Sequence, residues 1–212
     1  MLKHYLSSKY EAFIFDCDGT IADTMGIYHH IWNLAIRKHG ATVEITWEEF
    51  RSNGGRCLRE TTIEYNRRHG TSMDPDAVIE TLEIHTAEWL PRFKPIAPVV
   101  ELIHAEKQRP MAVASSGKRV NVQYVLQRLS IDNHFHCVLA REDVKHSKPE
   151  PDLFLLAAKR MKIAPEKCIV FEDSPLGEEA ARHAGMACQR IPYDWWDREL
   201  MDSIGEEIRK VK

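Results

Sequence analysis

The chain has 212 residues, of which 43 % are hydrophobic and 29 % are charged, as in ordinary globular proteins. This composition excludes collagen, coiled-coil and low-complexity classes, and the length predicts one large domain or one domain with a sizeable insertion. The 29 Lys and Arg residues are outnumbered by 32 Asp and Glu residues, which gives a formal net charge of −3. Since no long basic run could neutralise a phosphate backbone, we expect no nucleic-acid partner.

No segment approaches the ~18 consecutive apolar residues that a membrane-spanning helix needs, so we expect no membrane partner. The first residues, Met1-Leu2-Lys3-His4-Tyr5, lack the apolar stretch of a secretory signal. We therefore expect a cytoplasmic protein that is a monomer or a weak dimer.

Short apolar, β-branched or aromatic runs predict five buried strands, because each run is too short for a helix. They are Ala12–Phe15, Met111–Ala114, Cys137–Leu139, Cys168–Phe171 and Ala187–Ile191. Segments with helical spacing lie between most of the later runs, at Val120–Leu129, Leu153–Met161 and Gly177–Ala184. Strands that alternate with helices predict an α/β protein with a parallel-sheet, Rossmann-like core and helices on both faces of the sheet.

The stretch between the first two strands departs from this alternation, because residues 24 to 90 predict helices alone. These are Ile27–Lys38, Trp47–Asn53, Leu58–Arg68 and Pro75–Trp89, the last with Asp74 as its N-cap. So long a connection far exceeds a usual crossover. It predicts a helical cap domain at 24–90, inserted after the first strand into a core formed by residues 1–23 and 91–212.

Two further segments flank this arrangement. The three prolines of Pro91–Pro98 predict a stiff hinge rather than a helix between cap and core. In the charged tail, Trp195 and Trp196 are expected to anchor a last helix on the core.

Polar residues follow the predicted strands at their carboxyl ends, where open parallel sheets bind ligands. The segments are Asp16-Cys17-Asp18-Gly19-Thr20, Ser115-Ser116-Gly117, Lys148-Pro149 and Glu172-Asp173-Ser174. Carboxylates gathered at one edge of a sheet repel each other unless positive charge offsets them. Lys148 supplies one cation, and a hard divalent metal such as Mg²⁺, which prefers oxygen ligands and a substrate phosphate, supplies another. Together these residues indicate phosphoryl chemistry.

Ser115 has two interpretations. Taken alone, a serine in this position is as often a helix N-cap or a turn residue. In the functional interpretation, its hydroxyl and the backbone N–H groups after Gly117 bind phosphate oxygens. Lys118 and Arg119 add positive charge at the same place.

The four polar segments resemble, in type and order, the four motifs of the haloacid dehalogenase-like hydrolases, and the resemblance covers nearly the whole chain. The helical insertion resembles the cap of the β-phosphoglucomutase-like branch. Within that branch, the segments from Val144 to Asp152 and from Phe171 to Met186 look most like the bacterial fructose-1-phosphate phosphatase group.

The resemblance implies an Mg²⁺-dependent phosphatase for small phosphorylated sugars of the fructose-1-phosphate or 6-phosphogluconate type. Asp16 would be the nucleophile that forms an aspartyl phosphate, and Asp18 would serve as acid and then as base. The metal would bind to Asp16, to the backbone carbonyl of Asp18 and to Asp173. Ser115 and Lys148 would bind the transferring phosphoryl group. Glu172 would contact the metal through water or support its ligands.

A sugar phosphate mutase of the β-phosphoglucomutase type is the alternative. In those mutases, as in the fructose-1-phosphate phosphatases, a cap histidine lies twelve residues after the nucleophile, where this chain has Tyr28 followed by His29. This departure weakens the mutase interpretation and leaves hydrolysis untouched. The candidates for substrate binding are Ser116, Tyr28, His29, Arg59, Lys118 and Arg119, with Arg56 as a further one.

Two other classes share part of the pattern. Dehalogenating members of the superfamily lack the second aspartate and need no metal, so Asp18 favours phosphate esters. A receiver-like signalling module has an acceptor aspartate, an acidic pair, a hydroxyl and a lysine. It places the acidic pair on its first strand, however, and carries no helical cap.

Overall fold

The computed structural model describes residues 9–54, 58–193 and 196–210, without the side chains of Leu200 and Met201. Its strands are β1 (Ala12–Phe15), β2 (Ala22–Asp23), β3 (Lys94–Pro95), β4 (Met111–Ala114), β5 (Cys137–Leu139), β6 (Cys168–Glu172) and β7 (Ala187–Arg190). Within the described ranges, five of these pair in parallel in the order β5-β4-β1-β6-β7. The predicted strands and the α/β fold class are confirmed, except that β7, at one edge of the sheet, is not buried.

The helices are α1 (Met25–Lys38), α2 (Trp47–Ser52), α3 (Leu58–His69), α4 (Pro75–Trp89), α5 (Ala97–Ala105), α6 (Arg119–Arg128), α7 (Asp152–Met161), α8 (Pro175–His183) and α9 (Arg198–Arg209). Because successive side chains of a strand alternate between faces, β1 contributes to two apolar clusters. Phe13 and Phe15 lie in the cluster that includes α5 and α6, whereas Ala12 and Ile14 pack with α7 and α8. No helix in the described part of the chain has the length and apolarity needed to cross a bilayer.

Helices α1 to α4 fill the long connection after the first strand, as predicted. The Asp74 side chain caps α4 by accepting a hydrogen bond from the Asp76 N–H at 3.0 Å. The strands β2 and β3, which pair antiparallel on either side of the insertion, were not predicted, because two residues are too few to show a period. The predicted hinge is partly wrong, since Pro98 lies in the first turn of α5, where a missing N–H leaves no hydrogen bond unmade.

The chain after β7 contacts the loop that follows β1 and the helices α1 and α2. Trp196 anchors on the core as predicted, donating its Nε1–H to the backbone oxygen of Gly19 at 3.1 Å. Its ring also lies edge-on to that of Trp47 in α2. The last helix, α9, packs against α1 and buries Ile204 and Ile208 in the apolar cluster that also contains Phe13 and Phe15 of β1. Trp195 lies outside the described residues.

Candidate active site

Three carboxylates meet where β1 and β6 end. These strands are neighbours in register, with Phe15 opposite Phe171, so the residues that follow them emerge side by side. Oxygens of Asp16, Glu172 and Asp173 all lie within 4.8 Å of one another, and all three residues are buried. These three side chains therefore lie together at the carboxyl edge of the sheet, as predicted.

Lys148 brings a positive charge into this group. Its Nζ lies 2.5 Å from Asp16 Oδ1 and 2.6 Å from Glu172 Oε1, and the residue is 2 % exposed. Burial lowers the pKa of Lys148, but the charges of Asp16 and Glu172 outweigh that effect and raise the pKa above its usual value. The ammonium is thus held in its charged form.

Glu172 is fixed at both of its oxygens. Oε1 accepts from Lys148, and Oε2 accepts from the Ser174 N–H at 2.6 Å. The first turn of α8 makes room for this carboxylate through Gly177, where a Cβ would lie 1.9 Å from Glu172 Oε1. Glu172 is therefore positioned to orient Lys148.

Asp173 is held by the loop that follows β1. Thr20 Oγ1 donates to Asp173 Oδ1 at 3.3 Å. Gly19 has a φ of +84°, and a Cβ there would lie 2.6 Å from Asp173 Oδ2. Glycine thus serves both the backbone conformation and the close approach of the carboxylate.

Burial and mutual repulsion raise the pKa of two of these carboxylates, Asp16 and Asp173. Burial raises the pKa of Asp16 to about 8, with Lys148 opposing the rise and Glu172 adding to it. Burial, followed by the charges of Glu172 and Asp16, raises the pKa of Asp173 well above its usual value. One lysine does not balance three carboxylates at this separation. The donor set is all oxygen and short of positive charge, which fits the requirements of Mg²⁺.

The carboxylate of Asp18 stands apart from this cluster, next to the loop after β4. Thr24 Oγ1 donates to Asp18 Oδ1 at 2.7 Å, and Tyr28 also hydrogen-bonds to this carboxylate. Burial raises the pKa of Asp18, with Thr24 opposing the rise. A Cβ on Gly117 would lie 3.0 Å from Asp18 Oδ2 and 3.2 Å from Ser115 Oγ. Asp18 therefore flanks the loop that carries the predicted phosphate-binding hydroxyl.

Both interpretations of Ser115 agree with its position. Its Oγ accepts from the Gly117 N–H at 3.0 Å, as in a turn, and the residue also lines the cavity described below. Ser116 lines the same cavity, and its buried hydroxyl has no hydrogen-bond partner among the described residues. The backbone N–H of Arg119 donates to Glu142, so this group is already engaged.

A cavity of about 310 Å³ lies between helices α1 to α4 and the carboxyl ends of the strands. Several predicted site residues line it: Asp16, Asp18, Tyr28, Ser115, Ser116, Lys118 and Asp173. Lys118, which lies in the loop after β4, forms an ion pair with Glu83 of α4 on the opposite side of the cavity. The structure thus gathers the carboxylates, the hydroxyls and one flanking cation around one space.

Three predicted substrate-binding residues do not line the cavity. The His29 ring faces away, with Nε2 2.9 Å from the Ile45 oxygen. Arg59 pairs with Asp76 at the surface of the cap. Arg119 pairs with Asp143 near the end of β5. None of the three is placed to contact a ligand in this cavity; for His29 the reason is that a helix turns 100° per residue, so the neighbouring Tyr28 faces the cavity while His29 does not. Arg56 lies outside the described residues.

Some cavity residues were not predicted. Glu83 and Asn121 lie on α4 and α6, away from the strand ends, and single helical residues carry no pattern that would single them out. Asn121 hydrogen-bonds to Tyr28. Arg141 also lines the cavity and lies two residues after the end of β5. Its position after a strand is the same signal that predicted the other site residues, so it could have been predicted.

Comparisons with known proteins show which family and which relatives the sequence is similar to. The sequence model of the family described as "Haloacid dehalogenase-like hydrolase" matches residues 13–191. Fructose-1-phosphate phosphatase YqaB of Escherichia coli (strain K12) is 35 % identical over 182 residues, covering 84 % of this chain and 94 % of that protein. β-Phosphoglucomutase of Bacillus subtilis (strain 168) is 27 % identical, covering 83 % of this chain and 80 % of that protein.

A solved structure shows the same fold. The crystal structure of a hydrolase from Pseudomonas syringae superimposes with a TM-score of 0.76, covering 92 % of this chain and 90 % of that one. At 23 % sequence identity this likeness speaks to architecture alone.

Proposed function

The chain belongs to the haloacid dehalogenase-like hydrolases and is a phosphatase, and from this we propose that it hydrolyses monophosphate esters of small sugars with the help of Mg²⁺. The observation that carries the proposal is the pairing of Asp16, which lines the cavity, with the buried Lys148, while Asp18 lines the same cavity close by. A nucleophile, a fixed cation and a separate acid are the parts that such hydrolysis needs.

In the proposed first step, an Asp16 oxygen forms a bond to phosphorus as the bond from phosphorus to the sugar oxygen breaks. Asp18 donates a proton to the departing sugar oxygen, a role that its raised pKa favours. In the second step, Asp18 takes a proton from water as the water oxygen attacks phosphorus. The bond to Asp16 then breaks, inorganic phosphate leaves, and both aspartates return to their starting states.

The chain's other residues would hold the phosphoryl group during this exchange. Lys148 and the Ser115 hydroxyl would bind its oxygens, since positioning and charge supply most of the catalysis in phosphoryl transfer. Asp16, the Asp18 backbone carbonyl and Asp173 would hold the metal. When bound, Mg²⁺ supplies positive charge to the phosphoryl oxygens.

We propose residues 24–90 as a cap domain over a core of residues 1–23 and 91–212. In this arrangement the cap excludes bulk water while phosphorus is transferred and opens to release the sugar. The greater identity to a fructose-1-phosphate phosphatase than to a mutase supports water as the final acceptor.

The test is release of inorganic phosphate from fructose-1-phosphate, 6-phosphogluconate and β-glucose-1-phosphate, with Mg²⁺ and after chelation. We expect Asp16→Asn to lower turnover by at least about 10⁴-fold, because the nucleophile is lost. Asp132→Asn, which removes the same charge from an exposed turn, is the control. Activity retained by Asp16→Asn or after chelation would refute the mechanism, and isomerisation of β-glucose-1-phosphate without phosphate release would identify a mutase.

A further inference from the structure

The cap contributes an apolar wall to the cavity. Its side chains there include Met25, Trp32, Phe50, Leu58, Ile79 and Leu82. Apolar walls accept the C–H surfaces of a ligand, but they give nothing in return for the hydration that a charged group loses on entering. The apolar wall therefore favours a substrate whose surface against the cap is uncharged.

Glu83 is the one charged residue that the cap adds to the described cavity lining. Its carboxylate pairs with Lys118, which comes from the loop between β4 and α6. Arg141, the other cation that lines the described cavity, donates to the backbone oxygen of Val144 at 3.2 Å. An anionic group entering here would have to compete with Glu83 for Lys118 and would lie beside a carboxylate.

Neutral hydrogen-bonding groups are present on the same wall. Trp32 is 1 % exposed, and its indole N–H has no acceptor among the residues that the structure describes. Asn53 also lines the cavity, and its amide nitrogen donates to the Glu49 backbone oxygen at 2.8 Å. Since a buried donor without an acceptor is costly, a substrate hydroxyl that accepts a hydrogen bond from the Trp32 indole N–H would bind favourably.

We propose that Glu83 determines specificity by reserving Lys118, so that the enzyme acts on monophosphates of uncharged polyols or sugars and disfavours substrates with a second anionic group. This inference rests on the proposed phosphatase function. It selects, within the sugar phosphates, esters of the fructose-1-phosphate kind over sugar bisphosphates and sugar acid phosphates.

Matched substrates test this directly. Fructose-1-phosphate and fructose-1,6-bisphosphate differ by one phosphate, and sorbitol-6-phosphate and 6-phosphogluconate, both open-chain, differ at one carbon by an alcohol in place of a carboxylate. We expect the wild type to show the higher kcat/KM on the neutral member of each pair. Glu83→Gln should lower that preference by about fivefold, because the repulsion is removed and Lys118 becomes available.

The control is Glu80→Gln, which removes the same charge one turn earlier on α4 from an exposed side chain that does not line the cavity. It should leave the preference unchanged. Added salt should also weaken the wild-type preference, since the side chains of Lys118 and Glu83 are each nearly half exposed. These ratios between substrates would not move if Glu83 only stabilised the fold.

Phosphate release at equal kcat/KM from both members of each pair would overturn the inference while leaving the phosphatase function intact. An equal effect of Glu83→Gln and Glu80→Gln would overturn it as well. Failure to release phosphate from any monoester would instead contradict the proposed function itself.

Discussion

Lys148 sets the charge balance of the site, because it is shared by two buried carboxylates. Asp16 and Glu172 each lie within 2.6 Å of its Nζ. A buried ion pair adds little net stability compared with an apolar replacement of both partners, but removal of one partner leaves uncompensated buried charge. The consequence of losing Lys148 should therefore be visible in the fold as well as in catalysis.

Lys148→Met should lower the free energy of unfolding above about pH 8, where Asp16 is ionised, by about 3 kcal/mol, because two buried carboxylates lose their cation. Urea unfolding without metal would measure it. Adding Asp16→Asn to this variant should recover part of the loss, since one of the two carboxylates is then neutral. Lys167→Met provides a control, because the ion pair of Lys167 with Glu11 is exposed and contributes little to stability. Equal losses in the two lysine variants would contradict this account.

The residues that sequence reasoning placed correctly are those that directly follow strands. Asp16 and Asp173 could be predicted because parallel strands align their carboxyl ends, whatever the loops do. His29 could not be separated from Tyr28, since which side of α1 faces the cavity depends on how the cap packs. The position of the Arg119 side chain could not be predicted for a related reason, because its guanidinium pairs with Asp143, which is distant in sequence.

At the scale of elements, long periodic segments were predictable and short ones were not. The central strands and cap helices have the apolar spacing of their type, so their existence followed from the sequence. The strands β2 and β3 exist only because they pair with each other, with Ala22 opposite Pro95 and Asp23 opposite Lys94. The position of α9 against α1 likewise depends on tertiary packing, and this helix lies beyond the family match, which ends at residue 191.

The tail meets the β2–β3 pair through Asp23. The Asp197 N–H donates to Asp23 Oδ2 at 2.6 Å, and the Asp197 carboxylate pairs with Lys94 at 2.5 Å. The other oxygen of Asp23 is buried without a hydrogen bond among the described residues. Burial raises the pKa of Asp23 to about 6 from 3.8, with the Asp197 N–H and Lys94 opposing the rise and the Asp197 carboxylate adding to it.

This shift gives Asp23 a pH-dependent effect on stability. Between about pH 4 and pH 6 the folded state holds the Asp23 proton more firmly than the unfolded state, so stability falls as pH rises through this window. Asp23→Asn removes the titration and keeps an acceptor for the Asp197 N–H. As the pH rises from 4 to 7, the free energy of unfolding of the variant should increase by about 1 to 3 kcal/mol relative to that of the wild type.

Denaturant unfolding at both pH values would measure that gain. Asp132→Asn, at an exposed position, should show no such dependence. If Asp23→Asn tracks wild type across the window, the burial of Asp23 does not affect its titration as we infer.

At the scale of the whole molecule, the site joins parts of the chain that are distant in sequence. Asp16, Lys148 and Asp173 come from three separate segments, and their mutual contacts require the sheet to be assembled. The unfolded chain has no such cluster. A divalent cation that binds this cluster must therefore favour the folded state.

Mg²⁺ should raise the stability of the wild-type protein through this linkage. At a hundredfold excess over the dissociation constant the gain is about 2.7 kcal/mol, which corresponds to roughly 5–10 °C in Tm for a chain of this size. Asp173→Asn should abolish most of that increase, because it removes one of the three carboxylates that meet at the cluster. Asp132→Asn, which leaves the cluster intact, should keep it. Thermal unfolding with Mg²⁺ and with a chelator would measure these shifts, and an equal shift in wild type and Asp173→Asn would place the bound metal elsewhere.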